Sequence, residues 1–212
     1  MRSVLVRLVS AALLILCGCA RGVPAPARDT TASPESAPPT ERLVGPLTVA
    51  EAAALATMND RLKEYVALHN KIEQSLPKLP NNATPQQIDQ NQRTLQKRMQ
   101  EARATAKRGD IFTSEARPII KRLLATVFGG PDGRQVRSSI MDENPLTAAE
   151  IKRKVNGRYP DTVPLTTVPP QVLQTLPKLT EDLEYRFIGD SLILLDVHAH
   201  LIADYIENVV PK

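Results

Sequence analysis

Cysteine is almost missing from this chain: of 212 residues only Cys17 and Cys19 carry a thiol, and both lie near the start. A folded part further along therefore has no disulfide framework, no thiol nucleophile and no cysteine-based metal site. Trp is absent and only four Tyr and three Phe are present, so a nucleic-acid-binding surface built on stacking is not expected. Histidine occurs three times, at His69, His198 and His200, which limits the imidazoles available to any metal ion. No Gly-rich phosphate loop follows a strand pattern, and Gly-x-Ser-x-Gly does not occur. Beyond the first residues, no apolar run is long enough to span a bilayer.

What is present at the start is informative. In MRSVLVRLVSAALLILCG, Arg2 and Arg7 flank the beginning of an apolar run that ends at Leu16, the layout of a secretory signal peptide. Leu16-Cys17-Gly18-Cys19 resembles the bacterial lipobox. That resemblance implies cleavage before Cys19, lipidation of Cys19 and, with Ala20 following, an outer-membrane anchor facing the periplasm. Ordinary signal cleavage after Ala20 is the alternative and would give a periplasmic protein. Residues 20–46 are rich in Pro, Ala, Ser and Thr with no apolar period, so they read as an extended spacer. The expected organisation is a signal peptide at 1–18, a lipid-anchored disordered linker at 19–46 and one folded domain at 47–212.

Loss of the signal lowers the formal charge from +4 to +2. Residues 93–158 hold 15 Lys and Arg against 7 Asp and Glu, whereas residues 159–212 hold 3 against 8. The favoured reading is neutralisation of a basic middle by an acidic tail inside one fold. A cationic face for anionic lipid or polysaccharide is the other.

The folded part divides by period. Thr48 and Glu51 form a capping box, and Leu55, Met58, Leu62, Tyr65, His69, Ile72 and Leu76 follow at 3-4 spacing along a helix of about 28 residues. In that seam His69 is expected to bond to the facing helix. Thr84 caps a second helix with Pro85 and Gln87, whose seam is Ile88, Gln92, Leu95, Met99, Ala102 and Ala106. The two predict an antiparallel hairpin over 47–109. Arg108-Gly109-Asp110 reads as a left-handed turn after a helix end rather than an adhesion motif. A third helix is expected from about Pro118 to Phe128, stopped by Gly129-Gly130, and a fourth over 132–142. Gly133, too, is read as ending a helix. Residues 145–170 are rich in turn formers, Asn156-Gly157 among them, before a short helix at 170–176. The tail alternates, and 183–187, 191–197 and 200–206 predict a three-stranded antiparallel meander. The middle strand is apolar on both faces, so the third helix and 170–176 are expected to cover it. The fold class is thus α+β, with helices plus the β-meander filling 110–212.

Asp196-Val197-His198-Ala199-His200 resembles the D-x-H-x-H of the amidohydrolase family, where the His pair binds metal at the end of the first strand of a barrel. Only twelve residues follow His200, and such a barrel needs about 250 residues, so the resemblance extends no further. A hairpin turn with polar edges is the preferred reading, and no metal, cofactor or catalytic residue is assigned. Asp196, His198 and His200 stay as candidates for a small periplasmic metal-binding or hydrolytic protein. Residues 110–206, through DIFTSEARPIIKRLL, VNGRYPDTVPLTTVPPQVLQTLPKL and LEYRFIGDSLILLDVHAHLIADYI, resemble a group of bacterial exported proteins of unassigned function. The last piece is also loosely similar to small periplasmic proteins of the nickel/cobalt-homeostasis type. These resemblances imply a secreted, non-catalytic domain and carry over no site residues. The expectation is a non-enzymatic envelope lipoprotein, held to the membrane through lipid on Cys19, binding an envelope protein or an anionic surface polymer. Self-assembly into a homo-oligomer through the heptad seam is a further alternative.

Overall fold

The computed structural model describes residues 45–143 and 153–211; Cys19, the signal segment and most of the spacer lie outside the described residues. Eight elements follow in order: α1 (Val49–Glu73), α2 (Pro85–Ala102), α3 (Ala116–Gly129), α4 (Gly133–Glu143), α5 (Pro170–Thr175), β1 (Leu183–Ile188), β2 (Ser191–Asp196) and β3 (Leu201–Ile206). The fold is α+β, with a C-terminal antiparallel sheet in the order β1-β2-β3.

Local chemistry sets the helix starts. Thr48 Oγ1 accepts from Glu51 N at 3.2 Å while Glu51 accepts from Thr48 N at 2.9 Å. Thr84 and Gln87 repeat the exchange, with Pro85 opening α2 where its missing N–H costs nothing. The chain then returns antiparallel: Asn91 reaches Pro77, Arg98 reaches Ser75, and the Arg103 guanidinium lies 4.7 Å from the Tyr65 ring. The first seam is interior, with Met58, Leu62, Tyr65, His69 and Leu76 buried. The second is shorter than its spacing predicts. Leu95 and Met99 are buried, but Ile88 and Ala102 are exposed.

Two apolar clusters enclose the sheet. Leu183, Tyr185, Phe187, Leu192, Leu194, Leu201 and Ala203 join Ile120, Leu124 and Val172 on one face. Ile188, Ile193, Leu195 and Ile202 join Tyr159 on the other, with Val163 packed beside them. Thus α3 and α5 share one face instead of sealing both. The second is closed by the turn-rich segment, whose Tyr159 hydroxyl bonds to Pro164 O at 2.9 Å. This segment also lines the outer border of β3: Asn156 N donates to Ile202 O, Ile202 N to Gly157 O, and Tyr159 N to His200 O. On the outer side of β1, Thr166 Oγ1 both accepts from Phe187 N and donates to Phe187 O.

Register matters because a one-residue slip exchanges faces. Leu194 pairs with Asp204 but Leu195 pairs with Ile202, so Ala203 is an extra residue in β3. Its carbonyl accepts from both terminal nitrogens of Arg103. Asn156, at φ +63°, donates to Gln100 O and Arg103 O, satisfying carbonyls at the end of α2. Gly133 opens α4 rather than ending a helix: a Cβ there would lie 2.0 Å from Phe128 O, so only glycine allows α4 to start against the end of α3.

A few of the basic residues of 93–158 pair with the acidic tail within the fold. Arg108 pairs with Glu207, Arg153 with Asp190 at 3.7 Å, and Arg158 with Asp161 at 2.6 Å. Such exposed or half-exposed pairs add little stability each, but they join the basic middle to the acidic tail.

Asp204 is wholly buried, and its carboxylate accepts from the amides of Gly109, Ile111, Phe112 and Tyr205. Gly109, at φ +98°, turns the chain so that these amides converge. It lies seven residues beyond α2, not at the helix end expected of it. Burial raises the Asp204 pKa, and the four amides only partly oppose this. Asp204→Ala should cost about 3–5 kcal/mol by leaving several buried donors unpaired. With the folded pKa above the unfolded one, wild type gains on the variant as pH falls through the folded value. The deficit, read from urea midpoints at neutral pH and near pH 4, should therefore widen in acid.

Candidate functional site

The site lies where the last turns of α1 meet the connection from β2 to β3. Tyr65 and His69 are one helical turn apart and face the sheet; Glu73, four residues further, ends the helix. Asp196 ends β2 on that same face, the alternation having placed Leu192 and Leu194 there before it.

Asp196 is fully buried and is bonded by groups of α1 and of the turn that follows β2. Its Oδ2 accepts from the Tyr65 hydroxyl at 2.7 Å and lies 2.7 Å from His69 Nδ1, while Oδ1 accepts from Ala199 N at 2.8 Å. The last bond shapes the turn over 197–200. A carboxylate offers no proton, so His69 Nδ1 is the donor, and neutral His69 carries its lone pair on Nε2. That atom is buried and, among the described residues, has no hydrogen-bond partner; it lies 3.6 Å from Glu73 Oε2. His198, on the turn, places Nδ1 3.0 Å from Glu73 Oε1 and its ring 5.6 Å from that of His69. His69, Glu73 and His198 can each offer a ligand atom, all within 4.8 Å of one another.

The electrostatics follow from burial and the carboxylates. Burial opposes a charge on His69, but the hydrogen bond and charge of Asp196, helped by Glu73 and Asp182, raise its pKa. Burial, and then the Asp196 charge and hydrogen bond, push the Tyr65 phenol well above its usual range; Arg103 acts the other way.

The sequence-level candidates divide. Asp196 is interior rather than a polar edge of a surface turn, and it holds His69 instead of facing solvent. His198 reaches the cluster. His200 does not: at φ +53° it turns to the other face of the sheet, edge-on to Tyr159 with ring centroids 5.6 Å apart and Nε2 3.7 Å from Asp161. Burial and Arg158 lower its pKa against the pull of Asp161. The alternation that would align Asp196, His198 and His200 ends with β2 at Asp196. His69 is bonded to β2 and not, as expected, to the facing helix, and Glu73 was not singled out at all. A His and a Glu four apart at the end of a helix was the available signal, but such pairs are also ordinary surface contacts.

Compared with known protein families, curated proteins and solved structures, the chain finds no match.

Three substitutions test this geometry by urea unfolding. Asp196→Ala should cost about 3–5 kcal/mol, because Tyr65, His69 and Ala199 N lose their acceptor together. Tyr65→Phe should cost about 1–3 kcal/mol. His198→Ala, at a half-exposed side chain, should change stability by no more than about 0.5 kcal/mol. Equal effects at Asp196 and His198 would contradict the buried-carboxylate account.

Proposed function

We propose that this chain is a non-enzymatic lipoprotein of the bacterial envelope, tethered through Cys19 and carrying residues 47–212 as a binding module. The observation that carries the reading is Leu16-Cys17-Gly18-Cys19 behind an apolar run and ahead of the Pro-rich spacer. Among the described residues no helix is long and apolar enough to cross a membrane, so in this reading the lipid is the anchor. The α1 cap, closed between Thr48 and Glu51, suits a domain that begins right after a spacer.

The binding role is supported by how the buried polar groups are used. Asp196 and Asp204 are both wholly buried and bonded to groups of the chain itself, which suits a rigid scaffold better than a proton-transfer site. Self-assembly through the α1 seam is less favoured, since Met58, Leu62 and Tyr65 are already covered within the fold. The partner in this proposal is an envelope protein or anionic surface polymer, met by exposed faces of the module.

Cys19→Ser tests the anchor. The variant should stay unprocessed or leave the membrane fraction, while wild type should partition with the outer membrane on fractionation and immunoblotting. Recovery of wild type entirely as a soluble species cleaved after Ala20 would end this reading.

A further inference from the structure

We propose that His69, Glu73 and His198 bind one divalent first-row transition ion, zinc in class, at the junction of α1 and the β2–β3 turn. This goes beyond the envelope reading and does not depend on the anchor. Its first support is the orphaned Nε2 of His69, on a side chain with 0% exposure. Leaving a buried ring nitrogen unpaired costs about 1–3 kcal/mol, and a native protein that keeps one calls for an explanation.

The second support is orientation. Asp196 fixes His69 through Nδ1, the arrangement in which a carboxylate sets tautomer and ring angle so that Nε2 faces a metal. Tyr65 and Ala199 N hold that carboxylate in turn, so the ring is positioned by a packed shell.

The third is spacing. Zinc bonds of about 2.0–2.2 Å at tetrahedral angles place ligand atoms roughly 3.3–3.6 Å apart. His69 Nε2 and Glu73 Oε2 stand at 3.6 Å, Glu73 Oε1 and His198 Nδ1 closer at 3.0 Å, and one ligand atom from each of the three residues lies within 4.8 Å of the others. His69 would be the fixed anchor, while Glu73 and His198, with side chains 39% and 46% exposed, can adjust by rotamer. Two imidazoles and a carboxylate favour zinc and its neighbours over calcium or magnesium, which prefer oxygen throughout. Three protein ligands beside solvent leave a fourth position for water. The ion would tie the end of α1 to the turn after β2.

The test uses the full-length chain with a tag free of histidine, purified in detergent and stripped with chelator. Titration with Zn²⁺ should give one equivalent per chain and raise the thermal midpoint, and Co²⁺ should give the intense visible bands of four-coordinate geometry. Glu73→Gln and His198→Ala, both at half-exposed positions and checked for folding by circular dichroism, should each weaken Zn²⁺ binding by roughly a hundredfold or more. His200→Asn, which suits a left-handed backbone, should bind as wild type does. The inference is overturned if wild type takes up no stoichiometric Zn²⁺, or if Glu73→Gln and His198→Ala bind it unchanged. Loss of binding in His200→Asn alone overturns it too, since the site would then lie on the other face. Membrane fractionation of the same variants reads the envelope proposal separately, because none of them touches Cys19.

Discussion

A single buried oxygen, Asp196 Oδ2, couples helix to sheet in this protein. A carboxylate at 0% exposure is tolerable only if donors surround it, and α1 supplies two from one face, Tyr65 and His69. That requirement fixes which stripe of α1 faces the sheet and how far along the strand the helix sits. Met58 and Leu62 continue the stripe in apolar form. The turn around Gly109 is fixed in the same way by Asp204 of β3, which gathers its amides.

Between these carboxylates lies the extra residue of β3. Because Ala203 is inserted, Leu201 and Asp204 both lie on the helix-facing side although two residues lie between them, a spacing that puts residues of a regular strand on opposite faces. Arg103, at the end of α2, takes the Ala203 carbonyl and covers the Tyr65 ring. One side chain thus relates both helices of the hairpin to the irregular strand.

The pattern of the chain revealed the elements well and their partners poorly. Capping boxes at Thr48 and Thr84, Pro85 at a helix start and the alternation from Leu183 onward are local signals, and local hydrogen bonds or strand periodicity fulfil them. Which side of each element meets which neighbour depends on contacts between residues distant in the chain. His69 illustrates the gap: its seam position correctly implied burial, but its bond is to Asp196, 127 residues later. The His198/His200 pair shows the converse. Alternate spacing would give one shared face only in a continuous strand; the strand stops at Asp196, and the left-handed backbone at His200 turns that ring away. Ile88 fits the seam spacing of α2 and is exposed, because periodicity records a helix face but not how much of it a neighbour covers.

The borders of the sheet carry a consequence for the life of the molecule among its own copies. A short antiparallel sheet offers two outer ladders, and an open ladder invites a strand from another chain. Here residues 156–159 occupy the outside of β3, and Thr166 satisfies both backbone groups of Phe187 on the outside of β1. Copies of the chain that meet at high concentration present these borders to one another. With those positions already engaged, such encounters find little to zip onto, and the protein gains resistance to strand exchange from the same Pro-rich loop that closes its core.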